Sequence, residues 1–269
     1  MFDQFCVYGE GCSVYLEYLK TSVKILSALL IINLGIASTY AESSVRVFQV
    51  KKPILADVVE IGDFKNLKLH LNDTNHQPYQ FISRLSADLQ KNCRTMQFAM
   101  NAGMYHADLS PVGLYIEGAV EEKALNRATR GFGNFLIQPN GVLAWNHTQA
   151  KVETTQSYAK SSFKALYATQ SGPMLVINGQ INPNFIKNSD SLKIRNGVGI
   201  KDGKLYFVIT NERVSFYNFA DYFKTTLGVK NALYLDGSVS SAYIGELKRN
   251  DQLRPLGPIV AYSQVFNCR

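Results

Sequence analysis

The residues most suited to chemistry fall in four short segments. Each sets a polar side chain beside glycine, proline or asparagine where an apolar run ends: NAGMYHADLSPVG (101–113), SGPML (171–175), RNGVG (195–199) and LDGSVSS (235–241). Glycine lets the backbone approach a ligand or take positive φ, although ordinary turns use the same residue types. Four such segments, each with a group able to hold an oxyanion or a hydroxyl, point to one polar site. Asp236 ends the apolar run Ala232–Leu235, and a strand end would aim its carboxylate rigidly. It suits a nucleophile, a base or a metal ligand, or simply the cap of the next turn. Arg195 offers a planar fork for two phosphate or carboxylate oxygens, or for a salt bridge at a strand edge. Glu212, in TNERVS, is the candidate second carboxylate, because glycoside cleavage commonly uses a flanking pair; a solvated turn is its plainer reading. His106 and Asp108 are further acid–base candidates on an exposed loop. Ser238, Ser240 and Ser241 do not form GxSxG and have no neighbouring histidine, which argues against a serine hydrolase. CxxC and HExxH are absent, so the sequence supports no zinc site.

Positioning such groups requires a scaffold, and the pattern supplies one. Val45–Val50, Leu67–Leu71, Met96–Met100, Ala232–Leu235 and Ile259–Phe266 read as strands. Asn140-Gly141 and Asp202-Gly203, each between apolar runs, predict tight hairpins, with weaker versions at Gly118 and Gly179. Tyr79–Asn92 places Phe81, Ile82, Leu85 and Leu89 on one helical face. A second helix is predicted from Phe216 to Leu227, with Phe219, Tyr222 and Phe223 inward and Gly228 as its stop. Hairpins with two or three packing helices describe an α+β fold, a mainly antiparallel sheet. No Pro/Gly/Ser-rich linker divides residues 42–269, which predicts one domain.

Residues Ile25–Ala37 are nearly continuous in apolar character but short for a bilayer span, which takes about 20 residues. Lys20 and Lys24 precede this run and Thr39-Tyr40-Ala41 follows it. The pattern predicts a signal peptide over residues 1–41, cleaved after Ala41, with an uncleaved anchor as the alternative. The acidic residues Asp3, Glu10 and Glu17 are unusual ahead of such a run, and a translation start nearer Leu19 would remove them. The expected product is exported, periplasmic or secreted, without a stable membrane span. Its charge is 26 basic minus 18 acidic residues, or +8, which suits anionic substrates or a merely cationic surface. No nucleic-acid motif accompanies it. Cys6 and Cys12 leave with the leader, and Cys93 and Cys268 remain as either one disulfide or two buried thiols.

In order and content, the four segments resemble the phosphodiester glycosidase family of bacterial exported proteins. Asn101-Ala102-Gly103-Met104-Tyr105, Ser171-Gly172-Pro173, Arg195 to Gly199, and Leu235-Asp236-Gly237 with Ser240 carry the likeness, over roughly residues 95 to 265. Ser238 stands where the family usually has a second glycine, and Asn196 where a small hydroxyl residue is common. The resemblance implies a mixed α+β fold and hydrolysis of a sugar-1-phosphodiester at the sugar C1–O bond, releasing free sugar and a phosphomonoester. With Glu212 added from the reading above, the expected catalytic set is Asp236, Arg195 and Glu212. The substrate set is Asn101, Gly103, Tyr105, His106, Ser171, Gly172, Asn196, Gly237 and Ser240. No cofactor is required, although a divalent cation at Asp236 stays open. The alternatives are a non-catalytic envelope module binding anionic glycans, and a hydrolase breaking the P–O bond of another phosphodiester. Oligomeric state is left open.

Overall fold

The computed structural model describes residues 44–130, 133–237 and 239–268. The expected signal peptide, its expected cleavage point and Ser238 lie outside the described residues. Strand-forming segments dominate, and they assemble into three sheets whose pairings are all antiparallel. The largest has seven strands in the order Val45–Val50, Ala56–Ile61, Lys204–Thr210, Asn196–Lys201, Asn231–Asp236, Met174–Ile177 and Gln180–Ile181. A second runs Arg249–Asn250, Ala242–Ile244, Arg94–Asn101, Ile259–Val265 and Leu67–His70. The third runs Val120–Lys123, Tyr115–Glu117, Tyr167–Ser171, Gly141–Trp145 and Ala150–Thr154.

Period-two alternation fixes which face each side chain serves. In the strand Asn231–Asp236, Leu233 and Leu235 enter the central core between the sheets, with Phe98, Met100, Leu143, Trp145, Phe207 and Val260. Ala232 and Tyr234 face the other way, onto a second core with Phe219, Tyr222 and Phe223. Those aromatics come from the predicted second helix, which starts at Phe216 with the Ser215 hydroxyl accepting from the Asn218 amide. It widens to a π turn over Tyr222–Thr226 and stops at Gly228, whose φ is +68°. The first helix spans Ile82–Lys91 and packs Leu85 and Leu89 against Met96, Ala99 and Ala261 of the second sheet. Among the described residues, no helix is long and apolar enough to cross a membrane.

Three of the four expected hairpins turn where glycine marks them: Gly118-Ala119, Asn178-Gly179 and Asp202-Gly203 all have positive φ. Asn140-Gly141 does not. Gly141 opens a strand and pairs with Thr154, and the hairpin turns further on, where the Asn146 side chain accepts from Thr148 and Gln149 amides. A side-chain-built turn therefore replaces the expected glycine one.

Cys93 and Cys268 form a disulfide, with Cα atoms 5.5 Å apart. It joins the residue before the strand Arg94–Asn101 to the segment after Ile259–Val265, its direct sheet partner. Reduction is expected to lower unfolding free energy by about 2–5 kcal/mol, readable as a shift in urea midpoint with and without a thiol reductant.

Two buried groups give stability opposing pH slopes. Enclosure pushes the His70 pKa down to about 4, helped by Lys68 and Arg94, and Nε2 has no protein partner. Burial pushes the Glu117 carboxyl up to about 7, against the opposing hydrogen bond from the Tyr115 hydroxyl at 2.5 Å. The folded state thus disfavours the His70 proton, so this group's contribution falls as pH drops from 6.5 towards 4. It retains the Glu117 proton, so that contribution falls as pH rises from 4.5 to 7. His70→Leu is expected to leave a protein whose urea midpoint drops with rising pH across that window, and Glu117→Gln the reverse.

Candidate active site

Strand pairing brings the last two polar segments to one place, and the start of the first joins them. Asn196 opens its strand directly opposite Asp236, which closes the neighbouring strand, and the register shifts by a bulge between Asn196 and Gly197. Asn101 ends the strand Arg94–Asn101 of the second sheet. A relay of amides joins them. The Asn196 Nδ2 donates to Asn101 Oδ1 at 2.5 Å, and Asn196 Oδ1 accepts from the Asp236 backbone amide at 2.8 Å. Asn101 Oδ1 also accepts from the Ser241 amide at 3.0 Å, on the far side of the turn. Both asparagines are fully buried.

The other segments pin the same strand end. The Tyr234 amide donates to the Pro173 carbonyl at 3.0 Å, and the Ser171 hydroxyl donates to the Leu235 carbonyl at 2.9 Å. The Ser240 hydroxyl donates to the Asp236 carbonyl at 2.9 Å and more weakly to the Ile194 carbonyl at 3.4 Å. The Asp236 Oδ1 accepts from the Gly237 amide. Residues 234 and 235 are therefore held by the Ser171–Pro173 segment and residue 236 by Asn196 and Ser240, while the Asp236 side chain stays partly exposed. Gly237 is required by close approach: a Cβ there would lie 1.9 Å from the Tyr234 hydroxyl.

This geometry revises several expected roles. Ser171, Asn101 and Asn196 were expected to meet substrate; the Ser171 hydroxyl, the Asn101 side-chain carbonyl and both ends of the Asn196 amide instead bond the Asp236 strand end and its turn, while the buried Asn101 Nδ2 has no partner among the described residues. Gly103 has φ +102°, and its missing Cβ makes room for Thr169 Oγ1, which donates to the Ala102 carbonyl at 2.7 Å. Gly172 packs against Asn140 and the Phe135 carbonyl. Arg195 is only 1% exposed, and does not present its fork to solvent. Nε donates to the Val214 carbonyl at 2.8 Å and Nη2 to the Ser191 carbonyl at 2.9 Å, with the guanidinium 3.7 Å from the Phe216 ring centroid. Nη1 lies 3.5 Å from the Tyr234 hydroxyl, the group beneath Gly237. Burial pushes the Arg195 pKa down. Glu212 is withdrawn from the site as well: its Oε1 accepts from the Leu55 amide at 2.7 Å. His106 is exposed, and its backbone contacts, to Leu109 and Ser110, stay within its own loop.

Beside the Asp236 turn lies a cleft of about 630 Å³, lined by Gly237, Val239, Ser240, Thr210 and Asn211 and by the cations Lys193, Arg213, Arg249 and Arg254. Asp251 is the acidic residue in that lining. Tyr105 belongs to this neighbourhood: burial and the Asp236 charge push its hydroxyl pKa well up, and Arg254 opposes them. That hydroxyl donates to the Pro255 carbonyl at 2.8 Å, and the ring rests on Gly257. The basic residues were missed in the sequence because no run of them exists; the one signal was KRNDQLR, a charged stretch soon after the Asp236 segment. A further cavity of about 640 Å³ is bordered by Arg127, Gln138, Thr155, Lys160 and Asn140, the residue against which Gly172 packs. Among the described residues, no group of three or more His, Cys, Asp or Glu could hold a metal ion.

A family model described as phosphodiester glycosidase matches residues 94–261, more than half of the chain. A protein of Escherichia coli (strain K12) named YigE, itself uncharacterized, is 39% identical over 181 residues, covering 67% of this chain and 70% of that one. Among solved structures, the zebrafish N-acetylglucosamine-1-phosphodiester alpha-N-acetylglucosaminidase catalytic domain, auto-inhibited by its pro-peptide, superimposes with a TM-score of 0.53 at 14% identity, covering 81% of each chain. A hypothetical protein from Synechocystis gives 0.51 at 12% identity, covering 81% of this chain and 61% of that one. At such identities these two structures speak for the shared fold. The matched span contains all four polar segments and the cationic cleft, and the chain belongs to the phosphodiester glycosidase family.

Proposed function

We propose that this protein is an exported glycosidase that hydrolyses a sugar-1-phosphodiester at the sugar C1–O bond. The observation that carries the reading is a partly exposed carboxylate, Asp236, fixed at a clamped strand end beside a cleft with four cations. Breaking C1–O leaves positive charge on the anomeric carbon and sends the bonding electrons to the phosphate. A fixed carboxylate stabilises or attacks the oxocarbenium-like carbon, and water supplies the hydroxyl of the free sugar. The departing phosphomonoester is already stable as an anion and needs little protonation. What it needs is positive potential, which the cleft supplies. Tyr105 presents a ring for the sugar face, and Ser240 and Gly237 border its path. Arg195 acts at one remove, supporting Tyr234 and hence the Gly237 turn. Family membership supports hydrolysis of phosphodiester glycosides in general; the +8 charge of residues 42–269 and the apolar leader support export and an anionic substrate.

The test is release of free sugar from a panel of sugar-1-phosphodiesters in ¹⁸O-water. Label in the sugar supports C–O cleavage; label in the phosphate would replace this reading with P–O hydrolysis. Asp236→Asn is expected to lower turnover by roughly 10³-fold or more with an unchanged melting curve. Glycan binding without release on any substrate would favour a binding module, and chelation in the same assay tests for a divalent ion at Asp236. Asn196→Ala strands the Asp236 amide and leaves the buried Asn101 carbonyl with the Ser241 amide alone. It is expected to cost about 1–3 kcal/mol in urea unfolding and to reduce kcat more than it raises KM.

A further inference from the structure

Arg249 differs from the other cations of the cleft in being held still. Its Nε donates to Asp251 Oδ2 at 2.8 Å, and Nη1 donates to Asp57 Oδ2 at 2.8 Å and to Asn211 Oδ1 at 2.6 Å. These anchors are themselves fixed. Asp57 is 4% exposed in the seven-stranded sheet and accepts from Gln49 at 2.8 Å; Asp251 accepts from the Ala242 amide at 3.0 Å. The guanidinium therefore spans two sheets, with its plane set from two sides. Its remaining nitrogen, Nη2, makes no hydrogen bond to any described residue, and Arg249 lines the same cleft as Gly237 and Ser240. Lys193, Arg213 and Arg254 are exposed and form no ion pair among the described residues.

We infer that Arg249, in place of Arg195, is the phosphate-recognition residue of this cleft. Its Nη2 edge donates to a non-bridging phosphoryl oxygen and sets the orientation of the phosphate. Its charge is balanced by Asp57 and Asp251, so the attraction comes from Lys193, Arg213 and Arg254 around it. Orientation and attraction thus reside in different residues. A fork oriented in advance loses little side-chain freedom on binding, whereas the mobile cations act mainly through a field that salt screens. This inference rests on the glycosidase reading for its substrate, but its test does not.

The probe is methyl phosphate, the simplest phosphomonoester, titrated by calorimetry into the purified protein. Arg249→Lys keeps the charge and loses the fork; it is expected to weaken binding about 10-fold or more. Arg195→Lys is expected to lower the melting temperature and leave that affinity within about threefold, since its nitrogens serve two carbonyls and the Tyr234 hydroxyl and none faces the cleft. Arg254→Ala should weaken binding and flatten its dependence on salt. If Arg249→Lys does not fold, Asn211→Ala, at an exposed side chain, frees the same fork and should weaken binding by a smaller factor. Wild-type affinity in the folded Arg249→Lys or Asn211→Ala protein would overturn the assignment. So would an equal loss in Arg195→Lys, or failure of the wild type to bind the probe. Binding through Arg249 with no sugar released from any phosphodiester would leave this assignment standing and remove the glycosidase reading instead.

Discussion

The structure around the cleft depends on one relay of side-chain amides. Asn101 belongs to one sheet and Asn196 to another, and the bond between them is the point at which the two sheets agree on where Asp236 stands. Backbone pairing alone would not achieve this, because a bulge interrupts the register at Asn196. An amide can donate and accept at once, so Asn196 takes the Asp236 amide and gives to Asn101 without breaking step. In so enclosed a setting these bonds stand in for water, and losing the Asn196 carbonyl strands the Asp236 amide. The remaining pins, from Ser171, Pro173 and Ser240, would not converge if this relay were displaced.

Around this fixed point the molecule divides its cations between two duties. Arg195 serves the scaffold: buried, spread over Phe216 and bonded to carbonyls, it carries its charge at the expense of solvation. Arg249 and its exposed neighbours serve the cleft. The division follows from access. A guanidinium whose donors are consumed by backbone is a good girder, and a poor ligand for a molecule that comes and goes.

The strands and helices were legible because period-two and helical patterns survive in sequence, as in Ala232–Leu235 and in Phe219, Tyr222 and Phe223. The importance of the four polar segments was legible too, since glycine and asparagine at strand ends are costly without a reason. Their duties were not. Ser171 reads as a ligand hydroxyl until the carbonyl of Leu235, 64 residues away, is seen to take its proton. Glu212 likewise reads as an acid until Leu55 is found against it. Such partners are long-range, and local pattern carries no trace of them. Arg249 was invisible for the same reason: its meaning lies in Asp57, on a different sheet. The misplaced turn at Asn140-Gly141 is a local error, where a common turn pair was used to start a strand.

The relay also has a chemical lifetime. Asn196 is followed by Gly197, and this dipeptide readily loses ammonia when the glycine nitrogen reaches the side-chain carbonyl carbon. The extended strand that pairs Gly197 with Val208 and Tyr234 keeps those atoms apart. Each excursion to the unfolded state removes that protection. A chain that ages there returns with a carboxylate where the relay needs an amide: buried, unable to donate to Asn101, and a like charge beside Asp236. Fold stability thus protects the covalent identity of the centre as well as its shape.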